Sequence, residues 1–263
     1  MMNKSKNCIS YNNLTNELQK RKMTNNLYYF DQTTSTFDEA AKLKSKGGDI
    51  ICAKVQTSGR GRTGREWKSD IGGIYFSLII EPEMEPDKMQ IMTIICALGV
   101  QKALSAHAKC FVKWPNDIVS EKGQKLCGIL SKASLSDGES PLINVGIGIN
   151  ANNYDFGSNL PYASSLKEIC GYEVNENKIL CDVVECINEY CRKEIDDITK
   201  EFSAVCINIG SKVKAIYHAD NCDIEGKCIG IDSDGALLIQ KDDSEVVSVN
   251  SGEVSVRGIY GYV

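Results

Sequence analysis

Between Gln56 and Trp67 the chain reads QTSGRGRTGREW, with three arginines and three glycines in the seven residues from Gly59 to Arg65. Glycine lets the backbone turn tightly and approach a ligand, at an entropic cost when the loop orders. Arginine adds permanent positive charge, so the stretch is built to meet something negative. Three chemistries fit it: a cradle for a nucleotide or carboxylate, an RGG-like nucleic-acid contact, and a solvated charged loop. It is not a P-loop, because no Lys-Ser/Thr follows a GxxxxG spacing. RGG segments are normally repeated and disordered, whereas this one is single and pinned between strand-like runs, which favours the cradle.

Two further constellations follow. In VKWPNDIVS (residues 112–120) an extended run ends at Pro115 and projects Asn116 and Asp117 at a turn. Such residues make an ordinary Asx turn, and an aspartate at a strand end can also hold Mg²⁺ bridged to phosphate. In KLCGILSKAS, Lys125 precedes a buried apolar strand and Gly128 permits close approach. Lys125 is either a surface lysine flanking a strand or a second point of positive charge on the anion met by the arginines.

The elements that must position these residues are legible from pattern. IICAKVQ (50–56) and GIYFSLII (73–80) read as buried strands bracketing the Gly/Arg loop, which would hang between two strands of one sheet. CFVKW (110–114), KLCGILSKASL (125–135) and LINVGIGIN (142–150) add three strands, with EKGQ as the turn after DIVS. Helices are expected at TSTFDEAAKLKSKGG, with Thr36 and Glu39 as a capping box and Gly47-Gly48 as the stop, at MQIMTIICALGVQKALSA (89–106), and continuously from Asn175 to about Thr199. Glu81–Pro86 is a two-proline connection. After Ile209 short strands separated by Asp/Gly/Ser turns, with Asp234-Gly235 as a hairpin signal, predict a small all-β barrel. The class is therefore α+β, divided into a polar, poorly ordered extension (1–27), a catalytic domain (28–207) and the barrel (208–263).

Composition narrows the setting. The 263 residues carry a net charge of −5, so the arginine cluster is a local device and not a sign of nucleic-acid binding. The N-terminus lacks a signal-peptide core and no apolar run reaches membrane-spanning length, which predicts a cytoplasmic protein. Twelve cysteines include no CxxC pair, and only His107 and His218 could add imidazole to a metal site; the cysteines are read as reduced, buried small residues.

Taken together, GRGRTGREW, KWPND, KLCGIL and VGIGIN, followed by GKCIGIDSDGALLI and SGEVSVRG, resemble the biotin protein ligases from about residue 28 to the end. The resemblance implies a mixed sheet like that of class II aminoacyl-tRNA synthetases, with helices, plus a C-terminal SH3-like barrel. It implies that biotin and ATP condense to biotinyl-5′-AMP, and that a lysine of a biotin carboxyl carrier domain then attacks the mixed anhydride. Ser35, Thr36, Gln56 and Gly128 match positions that would hold biotin's ureido ring. Arg60, Gly61 and Arg62 would wrap the carboxylate and adenylate phosphate, with Lys125 on the reacting oxygens; Arg62 and Lys125 are the catalytic candidates. Asn116 and Asp117 would serve ATP and Mg²⁺, with Asp117 on the metal, and Asn150 would meet the nucleotide. Gly146 and Gly148 would let their strand lie against that nucleotide, and Trp67 would cover the closed site.

Two departures stand out against that pattern. Phe37 follows Thr36 where the family commonly has Asn, and Cys127 stands where alanine is frequent. Some members carry an N-terminal winged helix; the 27 residues ahead of the catalytic region are too few for one, so no operator binding is expected. A lipoate–protein ligase of the same fold and a biotin-sensing regulator acting through protein partners are the alternatives, and a homodimer is left open.

Overall fold

The computed structural model describes residues 7–82, 91–134, 141–217, 223–251 and 254–258. In chain order the elements are α1 (Tyr11–Lys20), β1 (Leu27–Phe30), α2 (Thr36–Lys42), β2 (Ile50–Ala53), β3 (Gln56–Arg60), β4 (Glu66–Ser69), β5 (Ile74–Ile80), α3 (Ile91–Ser105), β6 (Cys110–Lys113), β7 (Asp117–Ser120), β8 (Lys125–Ser134) and β9 (Leu142–Ile149). There follow α4 (Leu166–Cys170), α5 (Glu176–Tyr190), α6 (Ile195–Val205), β10 (Lys212–Tyr217), β11 (Ile224–Ile231), β12 (Leu237–Gln240), β13 (Val246–Val249) and β14 (Val254–Gly258).

Seven strands form one mixed sheet in the order β1-β2-β5-β9-β8-β7-β6. β1 and β2 are parallel and the other pairs antiparallel. Period-2 alternation gives this sheet two different faces. On β9, Ile143, Val145, Ile147 and Ile149 enter the main core. That core is shared with α3, which is apolar all round because it is buried between the sheet and α5. The intervening Asn144, Gly146 and Gly148 look the other way, toward α2 and the β3–β4 hairpin. β6 and β7 alternate likewise: Cys110, Val112 and Ile118 enter the main core while Lys113 and Asp117 do not. The site is thus built on the sheet face opposite α3.

The α+β class holds, and the C-terminal strands form a five-stranded antiparallel sheet in the order β13-β12-β11-β10-β14. Gly235, at φ +84°, makes the turn between β11 and β12. The indole N–H of Trp114 donates to Gly235 O at 2.9 Å and joins the two sheets. Cys52, Cys96, Cys127 and Cys228 lie within the core as free thiols, and burial pushes each thiol's pKa up. No helix among the described residues is long and apolar enough to cross a membrane.

Several local expectations need correction. The N-terminal extension contains an ordered helix, α1, whose Leu14 and Leu18 are buried; two apolar residues one turn apart suffice because α5 supplies the facing surface. The N-cap of α2 is Ser35, without a side-chain cap bond, and Glu39 bonds the Thr33 hydroxyl at 2.9 Å instead of closing a box on Thr36. That helix ends at Lys42, five residues before Gly47. The helix expected over 175–199 is two, α5 and α6, broken between Tyr190 and Ile195. The Gly/Arg stretch is not a bare loop between strands of the main sheet, because it forms its own hairpin, β3–β4, with a single 3-10 turn at Arg62–Gly64. DIVS is itself a strand, β7. Of the two-proline connection only Glu81 and Pro82 lie among the described residues, and of SGEVSVRG residues 252 and 253 lie outside them.

Candidate active site

A cavity of about 430 Å³ opens between the sheet face, α2, the β3–β4 hairpin and β14. Every residue expected at the site from sequence lines it: Ser35, Thr36, Gln56, Arg60, Gly61, Arg62, Trp67, Asn116, Asp117, Lys125, Gly128 and Asn150. Its two ends differ in chemistry.

One end is polar but uncharged. Thr36, on the first turn of α2, donates its N–H to Gln56 Oε1 at 2.8 Å, and its hydroxyl accepts from Ser77 Oγ at 3.1 Å. Gln56 Nε2 in turn donates to Ser69 Oγ at 2.8 Å, so the amide is locked from both sides. Ser35 Oγ is buried and makes no hydrogen bond among the described residues. A buried hydroxyl in that condition costs about 1–3 kcal/mol until something bonds it.

The middle is apolar. Phe37 lies over Gly146, where a Cβ would come 3.0 Å from its ring, and the Trp67 indole lies over Gly128 and Gly148. A Cβ on Gly128 would approach Trp67 Cζ3 to 2.8 Å, and one on Gly148 would collide with Trp67 Nε1. The glycines of VGIGIN and KLCGIL therefore admit these two aromatic rings onto the sheet.

The other end is cationic. Lys125, at the start of β8, pairs with Asp117 at 2.7 Å and lies 5.3 Å from the Trp67 ring centre. Arg62 donates through Nη1 to Asn116 Oδ1 at 3.0 Å and through Nη2 to Ser251 O, so the hairpin tip reaches both the turn at Asn116 and the segment that leads into β14. Burial pulls Arg62 below its ordinary value, against the opposing pull of Asp117. Asn116 also donates Nδ2 to Ile129 O at 2.8 Å, which fixes the turn after the cis Trp114–Pro115 bond. Asn150 donates to Lys125 O at 3.2 Å. Arg60 differs from its neighbour: it pairs with Asp38 of α2 at 3.0 Å and its side chain is largely exposed at the rim.

Two residues at this end were not singled out from sequence. Lys113, the last residue of β6, is buried, and its ammonium falls from the ordinary 10.5 to about 8, chiefly through burial, with Asp117 opposing and Lys125, Arg257 and Arg62 adding to the fall. Its position immediately before Trp114-Pro115, alternating with core-facing Val112, was the available signal. Arg257 comes from β14 across the sheet junction, and only the fold could place it here.

An amide-and-hydroxyl end, an aromatic middle and a cluster of cations around one carboxylate suit an acid whose carboxylate is to meet phosphate. The model of the Biotin/lipoate A/B protein ligase family matches residues 27–150, and that of the Biotin protein ligase C terminal domain matches residues 209–257. The chain is 30% identical over 236 residues to the bifunctional ligase/repressor BirA of Bacillus subtilis, covering 85% of this chain and 72% of that one. It is 29% identical to the biotin–[acetyl-CoA-carboxylase] ligase of Paracoccus denitrificans, over 80% of this chain and 92% of the relative. The biotin protein ligase of Aquifex aeolicus, solved in complex with biotin and ATP, superposes with a TM-score of 0.78 at 30% identity, over 89% of this chain and 99% of that one. The chain belongs to the biotin protein ligase family, and it is a ligase.

Proposed function

We propose that this enzyme activates biotin with ATP to biotinyl-5′-AMP and passes the biotinyl group to a lysine of a biotin carboxyl carrier domain. The observation that supports it most is the layout of one cavity: neutral hydrogen-bonding groups at one end, an aromatic sleeve, then Arg62, Lys113 and Lys125 converging on Asp117. The ureido ring sits against Ser35, Thr36, Gln56 and the Gly128 backbone, where Ser35 Oγ gains the partner it lacks among the described residues. The valeryl chain runs between Phe37 and Trp67. The carboxylate then meets the α-phosphate, two anions that repel, and Arg62 and Lys125 supply the charge that lets them approach and stabilises the five-coordinate phosphorus. Arg60, Gly61 and Asn150 complete the adenylate contacts.

Mg²⁺ is part of the proposal through Asp117. No group of three or more His, Cys, Asp or Glu side chains able to hold a metal occurs among the described residues, and Asp117 is already paired with Lys125. The residues fit an ion that arrives on the nucleotide: one carboxylate from the protein, the rest from phosphate oxygens and water. When bound, the ion would neutralise phosphate charge, and Lys113, Lys125 and Arg62 would hold the phosphates in line.

The free thiols support a reducing, cytoplasmic setting. A division near residue 207 into catalytic and C-terminal domains is supported by the start of the second sheet at Lys212. That the Paracoccus relative is a biotin–[acetyl-CoA-carboxylase] ligase supports a carboxylase carrier as partner. Pyrophosphate release that needs both biotin and ATP, and is not supported by lipoate, tests the reaction; release with lipoate and none with biotin would overturn it.

A further inference from the structure

The segment ahead of β1 precedes both family matches, yet it is tied into the body of the enzyme. α1 lays Leu14 and Leu18 on α5, and Arg21 anchors its far end to Asp182 at 2.7 Å and Glu185 at 2.6 Å. The near end is held differently, by backbone bonds to the first two residues of α5. Ile9 N–H donates to Glu176 Oε2 at 2.7 Å, Ser10 N–H to Asn177 Oδ1 at 3.2 Å, Asn177 Nδ2 to Cys8 O at 3.1 Å, and Glu176 N–H to Asn7 O at 3.0 Å.

Glu176 is 1% exposed, and burial raises its pKa while the bonds from Asn152 and Ile9 oppose the rise. It is not needed to cap α5, because the Asn175 side chain already accepts from Lys178 N–H. Its second oxygen takes 2.9 Å from Asn152 Nδ2. Asn152 is clasped to Val174 through both N–H and C=O, and it lies two residues beyond Asn150. Asn153 Nδ2 reaches Asn150 Oδ1 at 3.4 Å, and Asn150 reaches the carbonyl of Lys125. Two sets of hydrogen bonds, joined by the peptide bond between Asn152 and Asn153, therefore connect the N-terminal segment to the residue that carries the cationic end of the cavity.

We infer that Glu176, held by the N-terminal segment, is a positioning residue for the nucleotide side of the site, acting through Asn152 on Asn150 and Lys125. This rests on the proposed role of Asn150 and Lys125 at the adenylate.

Glu176→Gln offers one oxygen to two donors, so either Ile9 N–H or Asn152 Nδ2 loses its bond to residue 176. In pyrophosphate-release kinetics the variant should raise the KM for ATP about tenfold while the KM for biotin stays within about twofold. Amide exchange at Asn150–Asn153 should quicken by a similar factor. Arg21→Ala, which loosens the other end of α1, should lower the melting temperature and leave both KM values alone. Should Glu176→Gln fail to fold, Asn152→Ala removes the same link without altering the groups that bond Ile9 and Ser10, and the same split is expected. Unchanged ATP kinetics and exchange in these variants would overturn the inference, as would a parallel shift of both KM values in Glu176→Gln and Arg21→Ala. If the wild type released no pyrophosphate, the functional reading would fail, and the exchange rates would still decide whether Glu176 orders Asn150–Asn153.

Discussion

Lys113 offers a perturbation with opposite effects on stability and on activity. It is 6% exposed, and its folded pKa of about 8 lies below the ordinary 10.5, with burial the largest cause. Holding that ammonium charged at pH 7 costs on the order of 3 kcal/mol of folding free energy. Between pH 8 and 10.5 the unfolded chain binds more protons than the folded one, so stability rises with pH across that window and the cost is present in full below it. Lys113→Met keeps the stem and removes the charge, while Asp117 retains Lys125 at 2.7 Å. Urea denaturation at pH 7 should show the variant more stable by up to about 3 kcal/mol, with the gain shrinking toward pH 10. The same variant should raise the KM for ATP about tenfold or more, the loss of a charge-assisted phosphate contact. A variant less stable than the wild type at pH 7 with unaltered ATP kinetics would refute the assignment of Lys113 as a destabilising, functional cation.

Arg62→Ala and Lys125→Ala should each slow adenylate formation by about 10²–10³, read as pyrophosphate release, because each removes a preorganised charge from the reacting oxygens; unchanged rates would remove those roles. Gly148→Ala places a methyl group where the Trp67 indole lies, so it should raise the KM for biotin about tenfold and shift the tryptophan emission; normal kinetics would show that Trp67 is not part of the biotin sleeve. Arg60 and Arg65 are exposed at the hairpin tip, and tryptic cleavage there should be suppressed by biotin with ATP. Equal cleavage with and without them would contradict a hairpin that closes over the adenylate.

The parts of the site that were legible in sequence are those carried by contiguous runs. GRGR, KWPND and KLCGIL each place their polar residues at a turn or strand end, where local chemistry decides which way they face. Lys113 was not legible because it sits inside a strand-like run, and its direction is fixed only when Val112 is known to enter the core. Arg257 depends on how the second sheet docks through Trp114 and Gly235, a contact between residues far apart in the chain. The rings that take the room at Gly146 and Gly148 were hidden for a related reason. Sequence shows that a glycine makes room, and only the fold shows that Phe37 and Trp67 take it. Within the fold, α3 was plain from its long, largely apolar run. α1 was hidden because its stability comes from α5 and from the Arg21 ion pairs, not from its own composition.

Mass spectrometry of an intact carrier domain is the most direct test of biotin transfer by this enzyme. Incubated with this enzyme, Mg-ATP and biotin, the carrier should gain one biotinyl group on a single lysine, and should gain nothing with lipoate in place of biotin. A lipoyl group on that lysine, or an unmodified carrier with either acid, would contradict it.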